Sequence, residues 1–231
     1  MLLLSVITVH VSCQSVSERI DCHPEPGAYQ DKCEARGCRW QEVEEPGPPW
    51  CFYPPDYGYI MQGEPIPTQE GYMVHLTRSE QSGTMFGGES DNLWVTVEIQ
   101  KEYRVRIKIT DDKPRFEVPI AIVGDGSKPE NVDFDIQFTN SPVFGFKIVR
   151  KTSNETVMET GMPGMVFSDQ FIQLPFKISP SAAVYGWGEN EQHSFRHDMD
   201  WRTWAIYARD QPPDGDANMY GVHPRLTVLG K

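Results

Sequence analysis

Between residues 72 and 150 apolar and polar positions alternate with a period of two, the pattern of strands that bury one face. Leu93, Val95, Val97 and Ile99 alternate with Trp94, Thr96 and Glu98, and Tyr103, Val105, Ile107 and Ile109 with Arg104, Arg106 and Lys108. The intervening Gln100-Lys101-Glu102 suits a hairpin link. Val132, Phe134, Ile136 and Phe138, then Phe144, Phe146 and Ile148, repeat the pattern after turn signals at Gly124-Asp125-Gly126 and Asn140-Ser141-Pro142. Hairpins in series predict an antiparallel β-sandwich. No stretch carries a sustained helical stripe, which argues against a parallel α/β domain.

The flanks read differently. Residues 1–17 open with an apolar run, Met1 to Val11, about half as long as a membrane-spanning helix requires. It reads as a signal-like start, or as an artificial start inside a longer gene, since the basic n-region is missing. Residues 59–71 are rich in Gly and Pro without a clean period and read as a linker. All five cysteines, Cys13, Cys22, Cys33, Cys38 and Cys51, precede residue 52. A short Gly- and Pro-rich stretch of that kind buries too little to fold without staples, so disulfides are expected. Zinc is the competing explanation, but the spacing Cys-x10-Cys-x4-Cys-x12-Cys contains no tight C-x2-C knuckle.

Composition narrows the partners. The formal charge is −12, with 21 basic against 33 acidic residues and no basic cluster, which argues against a nucleic-acid partner and favours a neutral or weakly charged ligand. Asn154-Glu155-Thr156 is an N-glycosylation sequon suited to a surface loop. His193 and His197 have i, i+4 spacing but no HExxH context, and Asp198 and Asp200 read as a charged loop. Gly186-Trp187-Gly188 lacks the third glycine of a dinucleotide site. No metal and no cofactor is expected.

The segment from Cys22 to Tyr53 resembles a trefoil domain through its cysteine spacing, the turn Arg36-Gly37-Cys38-Arg39-Trp40 and the closing Pro49-Trp50-Cys51-Phe52. The resemblance implies bridges Cys22–Cys38 and Cys33–Cys51. Arg39 occupies the place of the family's fifth cysteine, which leaves Cys13 outside the framework. Trp40, Trp50, Phe52 and Tyr53 form either a sugar-stacking cleft or the substitute for a core. The trefoil is assigned to 18–58, and its folding is expected to be independent of the cysteine-free remainder.

Residues 72–224 carry phrases similar to those of glycoside hydrolase family 31, in its maltase-glucoamylase-like branch. They are Arg115-Phe116-Glu117-Val118-Pro119, Phe167-Ser168-Asp169-Gln170-Phe171-Ile172, Val184-Tyr185-Gly186-Trp187-Gly188-Glu189 and the run from Arg196 to Trp204. The resemblance implies a mainly β chain, a trefoil followed by a galactose-mutarotase-like antiparallel sandwich. It implies an α-glucosidase that cleaves α-glucosidic bonds with retention, using two carboxyl groups about 5 to 5.5 Å apart. The family's pair lies in a (β/α)8 barrel, its nucleophile in a Trp-Ile-Asp-Met-Asn-Glu phrase that does not occur here. The sandwich lends that site one loop, which maps onto Asp210, with Tyr220 closing it; a solvated acid on a Pro-rich loop is the alternative. Residues 225–231 depart from the family's pattern and read as a divergent tail.

The implied partners are an α-glucosidic oligosaccharide or a mucin glycan, together with the family's own catalytic barrel and apical membrane anchor. The implied location is secreted, or the extracellular face of the plasma membrane. An N-terminal α-glucosidase fragment without catalysis of its own competes with a carbohydrate- or mucin-binding trefoil module and with an inert product.

Overall fold

The computed structural model describes residues 14–80, 87–120, 124, 126–212 and 215–230. Cys13, the apolar run before it and Asp125 of the expected turn lie outside them. Among the described residues no helix is long and apolar enough to cross a membrane.

The first unit is short and covalently tied. A six-residue helix, α1 (Gln30–Ala35), packs on the two-stranded ribbon of β1 (Arg39–Trp40) and β2 (Cys51–Phe52). Bridges join Cys22 to Cys38 and Cys33 to Cys51, across sequence separations of 16 and 18 residues. Loops of that length contribute about 3 kcal/mol each in the chain-entropy view. Arg19 fastens the entry segment. It is buried, its guanidinium lies 4.2 Å from the Phe52 ring centroid, and it donates to the carbonyls of Gln41 and Pro49.

The alternating segments form two facing sheets. On one side are β3 (Tyr59–Met61), β4 (Ile66–Pro67), β5 (Gly71–Arg78), β6 (Asn92–Lys101) and β7 (Arg104–Thr110), all antiparallel. On the other are β8 (Phe134–Asn140), β9 (Phe144–Arg150) and β10 (Glu155–Glu159), ordered β10-β9-β8. Val74, Leu76, Leu93, Val95 and Val97 from the first sheet share one core with Phe134, Phe144, Phe146 and Ile148 from the second. Burial of each such side chain contributes about 1.5–3 kcal/mol. The chain is therefore mainly β, a trefoil followed by an antiparallel sandwich.

Residues 59–71 are not the expected linker, because β3 and β4 both pair with β5 along its outer edge. Pro67 fits there because an edge strand tolerates a missing donor. Tyr59 is buried and donates to the Ser90 carbonyl at 2.7 Å, so the segment belongs to the sandwich. Tyr103 does not share a face with Val105 and Ile107 but sits on the hairpin turn, 73% exposed. The register shifts between Ile99 and Lys101, and that bulge turns Gln100 inward and changes the phase.

The last third has shorter elements. β11 (Val166–Phe167) and β12 (Ile172–Gln173) form a small hairpin, β13 (Ala183–Gly186) pairs with β16 (Leu226–Leu229), and β14 (Asn190–Gln192) pairs with β15 (Asp216–Asn218). The divergent tail is thus paired with the sandwich over Leu226–Leu229. Backbone pairing asks for an extended partner rather than a particular sequence, and Leu226–Leu229 supplies one against Ala183–Gly186.

The two units are not independent. Tyr53, Tyr57 and the four bridged cysteines share a buried cluster with Val166, and Phe171 packs against it. Gly164 donates to the Tyr57 carbonyl at 2.9 Å, and Lys177 pairs with Glu18 at 3.2 Å.

Candidate functional site

The Asp210 loop is held by backbone pairing beside β14 and by a single buried amide. Arg209 N–H donates to the Met219 carbonyl at 2.9 Å, and Met219 N–H to the Glu189 carbonyl at 3.1 Å. Asn218 is 5% exposed. Its Nδ2 donates to the Tyr207 carbonyl at 3.0 Å, while its Oδ1 accepts the Glu189 N–H at 3.1 Å. One side chain therefore joins the loop before Asp210 to the turn after Gly188. Asn218 stands in no motif, so only its burial identifies it.

On this support Tyr220 donates to Asp210 Oδ1 at 2.6 Å. Both residues are exposed, Tyr220 at 55%. The bond to the Asp210 carboxylate is the main reason the Tyr220 hydroxyl is held above its usual pKa, with burial and Glu189 adding to it. Asp210 Oδ2 has no hydrogen-bond partner among the described residues. A carboxylate with one oxygen anchored and the other open is set to accept from a hydroxyl donor.

The trefoil aromatics divide. Phe52 and Tyr53 are buried, Phe52 beneath Arg19 and Tyr53 against Tyr57 with ring centroids 4.5 Å apart. They act as core. Trp50 is 42% exposed and meets Trp40 edge to face at 5.8 Å, and Trp40 lines an open groove of about 460 Å³ with Arg39, Gln41 and Phe52.

The remaining expected residues are separate from these places. Asn154 is exposed, at φ 53° on the turn between β9 and β10. His197 is buried, with its Nε2 2.6 Å from the Gly186 carbonyl, and His193 lies near Gly215. Among the described residues no group of three or more His, Cys, Asp or Glu is arranged to hold a metal ion.

Comparison with known proteins matches the first unit to a domain family and aligns nearly the whole chain with larger proteins. The trefoil (P-type) domain model matches residues 13–54. "Sucrase-isomaltase, intestinal" of Oryctolagus cuniculus is 36% identical over 220 residues, 91% of this chain and 12% of that protein. "Probable maltase-glucoamylase 2" of Homo sapiens is 35% identical over 92% of the chain and 9% of its own length. "Lysosomal alpha-glucosidase" of Mus musculus is 34% identical over 92% of the chain and 23% of its own length. The chain thus spans a small part of each relative, 12% of the first. Over nearly all of its length, this trefoil-and-sandwich chain is similar to a part of the α-glucosidases of glycoside hydrolase family 31.

Proposed function

We propose that this chain is the substrate-contacting N-terminal portion of an α-glucosidase, and that Asp210 accepts hydrogen bonds from glucosyl hydroxyls in a pocket completed by a catalytic barrel. The observation that carries this reading is the Tyr220–Asp210 bond at 2.6 Å on a loop pinned by Asn218. That bond fixes one carboxylate oxygen and orients the other.

Hydrolysis with retention needs a nucleophile and an acid/base about 5 to 5.5 Å apart. Asp210 has a tyrosine hydroxyl, not a second carboxyl group, as its partner. Its role in this reading is to position substrate. The bridged cysteines fit an oxidising compartment, which supports a secreted or extracellular location in this reading. Asn154 is its glycan acceptor, and loss of a glycosidase-sensitive mass on Thr156→Ala would check that assignment.

The test of the main reading is a chimera in which this chain replaces the matching segment of the Mus musculus lysosomal α-glucosidase. Asp210→Ala should lower kcat/KM for maltose about tenfold or more, or about 1.4 kcal/mol. An unchanged kcat/KM in a folded chimera overturns the role of Asp210. The 231-residue polypeptide alone should release no glucose from maltose above the buffer rate.

A further inference from the structure

A cleft of about 870 Å³ opens where the entry to the trefoil meets the last third of the sandwich, within the usual range of small-molecule sites. Trp187, Trp201, Trp204 and His197 line it, and neither Asp210 nor Tyr220 does.

Two features of these residues are costly without a ligand. Trp187 and Trp201 have φ of 67° and 54°, and among the described non-glycine residues only Asn154 joins them at positive φ. That region is strained for a bulky side chain, and such strain gathers at ligand sites. Both tryptophans that bear it line this cleft. His197 is 7% exposed, and its Nε2 donates to the Gly186 carbonyl at 2.6 Å. Its Nδ1 is then an acceptor, and it is buried with no partner. An orphaned buried acceptor carries an unrecovered desolvation cost, which a hydroxyl donor would remove.

The lining also selects the charge of the ligand. Lys177 is paired with Glu18 at 3.2 Å, Arg202 lies 4.7 Å from the Trp204 ring centroid and 4.0 Å from Asp198, and Arg19 is committed to Phe52 and two carbonyls. An anionic ligand would meet no uncommitted cation among these lining residues. Indole faces suit the apolar face of a pyranose, and a sugar brings many hydroxyl donors.

We infer that this cleft binds a neutral saccharide, which stacks on the indoles and donates a hydroxyl to His197 Nδ1. The site is separate from Asp210 and does not depend on the role assigned there.

The probe is maltotriose, titrated into the full chain while the indole N–H resonances are followed by NMR. The Trp187, Trp201 and Trp204 resonances should move together, and those of Trp40, Trp50 and Trp94 should stay. Trp201→Ala should weaken binding at least tenfold, Trp201→Tyr should restore most of it, and Tyr103→Ala, at the exposed turn between β6 and β7, should leave it unchanged. Stationary cleft resonances at millimolar maltotriose overturn the site, as do shifts confined to Trp40 and Trp50. A folded Trp201→Ala chain with unchanged affinity overturns it too. If that variant does not fold, the mapping on the unaltered chain decides.

Discussion

Trp201 of the sandwich lies against Gly47 of the trefoil, so closely that a Cβ at Gly47 would meet the indole Cδ1 at 2.5 Å. Gly47 also has φ +109°, a conformation that L side chains rarely adopt. Gly47→Ala therefore adds strain and a clash together. We expect it to lower stability by about 1–3 kcal/mol and to displace Trp201, checked by thermal unfolding and the Trp201 indole resonance. An unchanged melting curve and resonance would show that the contact is loose.

Reduction of the two bridges should not leave the rest of the chain untouched. Val166 shares the cluster of bridged cysteines, and Phe171 packs on it, so loss of the trefoil uncovers the hairpin β11–β12. Hydrogen exchange after reduction should accelerate first in residues 22–53 and next in 166–173, while β5, β6 and β9 stay protected. Unchanged exchange in 166–173 would mean that the two interiors are separate.

The strands with strict alternation are legible in the sequence because one face of each meets the other sheet, as with Leu93, Val95 and Val97. β3 and β4 are not, because two or three residues beside Gly63 and Pro65 carry no period and are strands only through pairing with β5. Nor does the pattern show the bulge at Gln100, which depends on cross-strand register. At the candidate site, Asp210 and Tyr220 are reached through family resemblance. Asn218 and the orphaned His197 Nδ1 are not, since a solitary polar residue acquires meaning only from what buries it.

Asp111 ties the end of β7 to the approach to β6 through charge. Arg115 donates to both of its carboxylate oxygens, and Ser90 donates to Oδ2 at 2.8 Å. The Arg115 guanidinium, opposed by burial and helped by Ser90, holds the Asp111 carboxyl well below the usual carboxylate range. A depressed folded pKa gives stability that is present above the unfolded value, about 3.9, and is lost as pH falls from there through the folded value. Glu25, drawn down to about 2 chiefly by Arg36, adds to the same acid-side loss. Asp111→Asn should cost about 1–3 kcal/mol at neutral pH and flatten the loss of stability below about pH 4, measured by denaturant titration across pH. An equally steep acid-side loss in the variant would assign that loss to other carboxylates.

The Tyr220 hydroxyl reports on its neighbour. Because the bond to Asp210 is the first cause of its raised pKa, Asp210→Ala should bring its ionisation down towards about 10, read by ultraviolet difference titration. No movement would show that the 2.6 Å bond is not kept in solution.

The cluster that joins Val166 to the cysteines also makes completion of the two units interdependent. The hairpin β11–β12 completes its burial only against a closed trefoil, so the bridges and that corner of the sandwich stabilise one another. A chain whose bridges are open therefore leaves Val166 and Phe171 without their cover, an apolar patch that favours association with other chains.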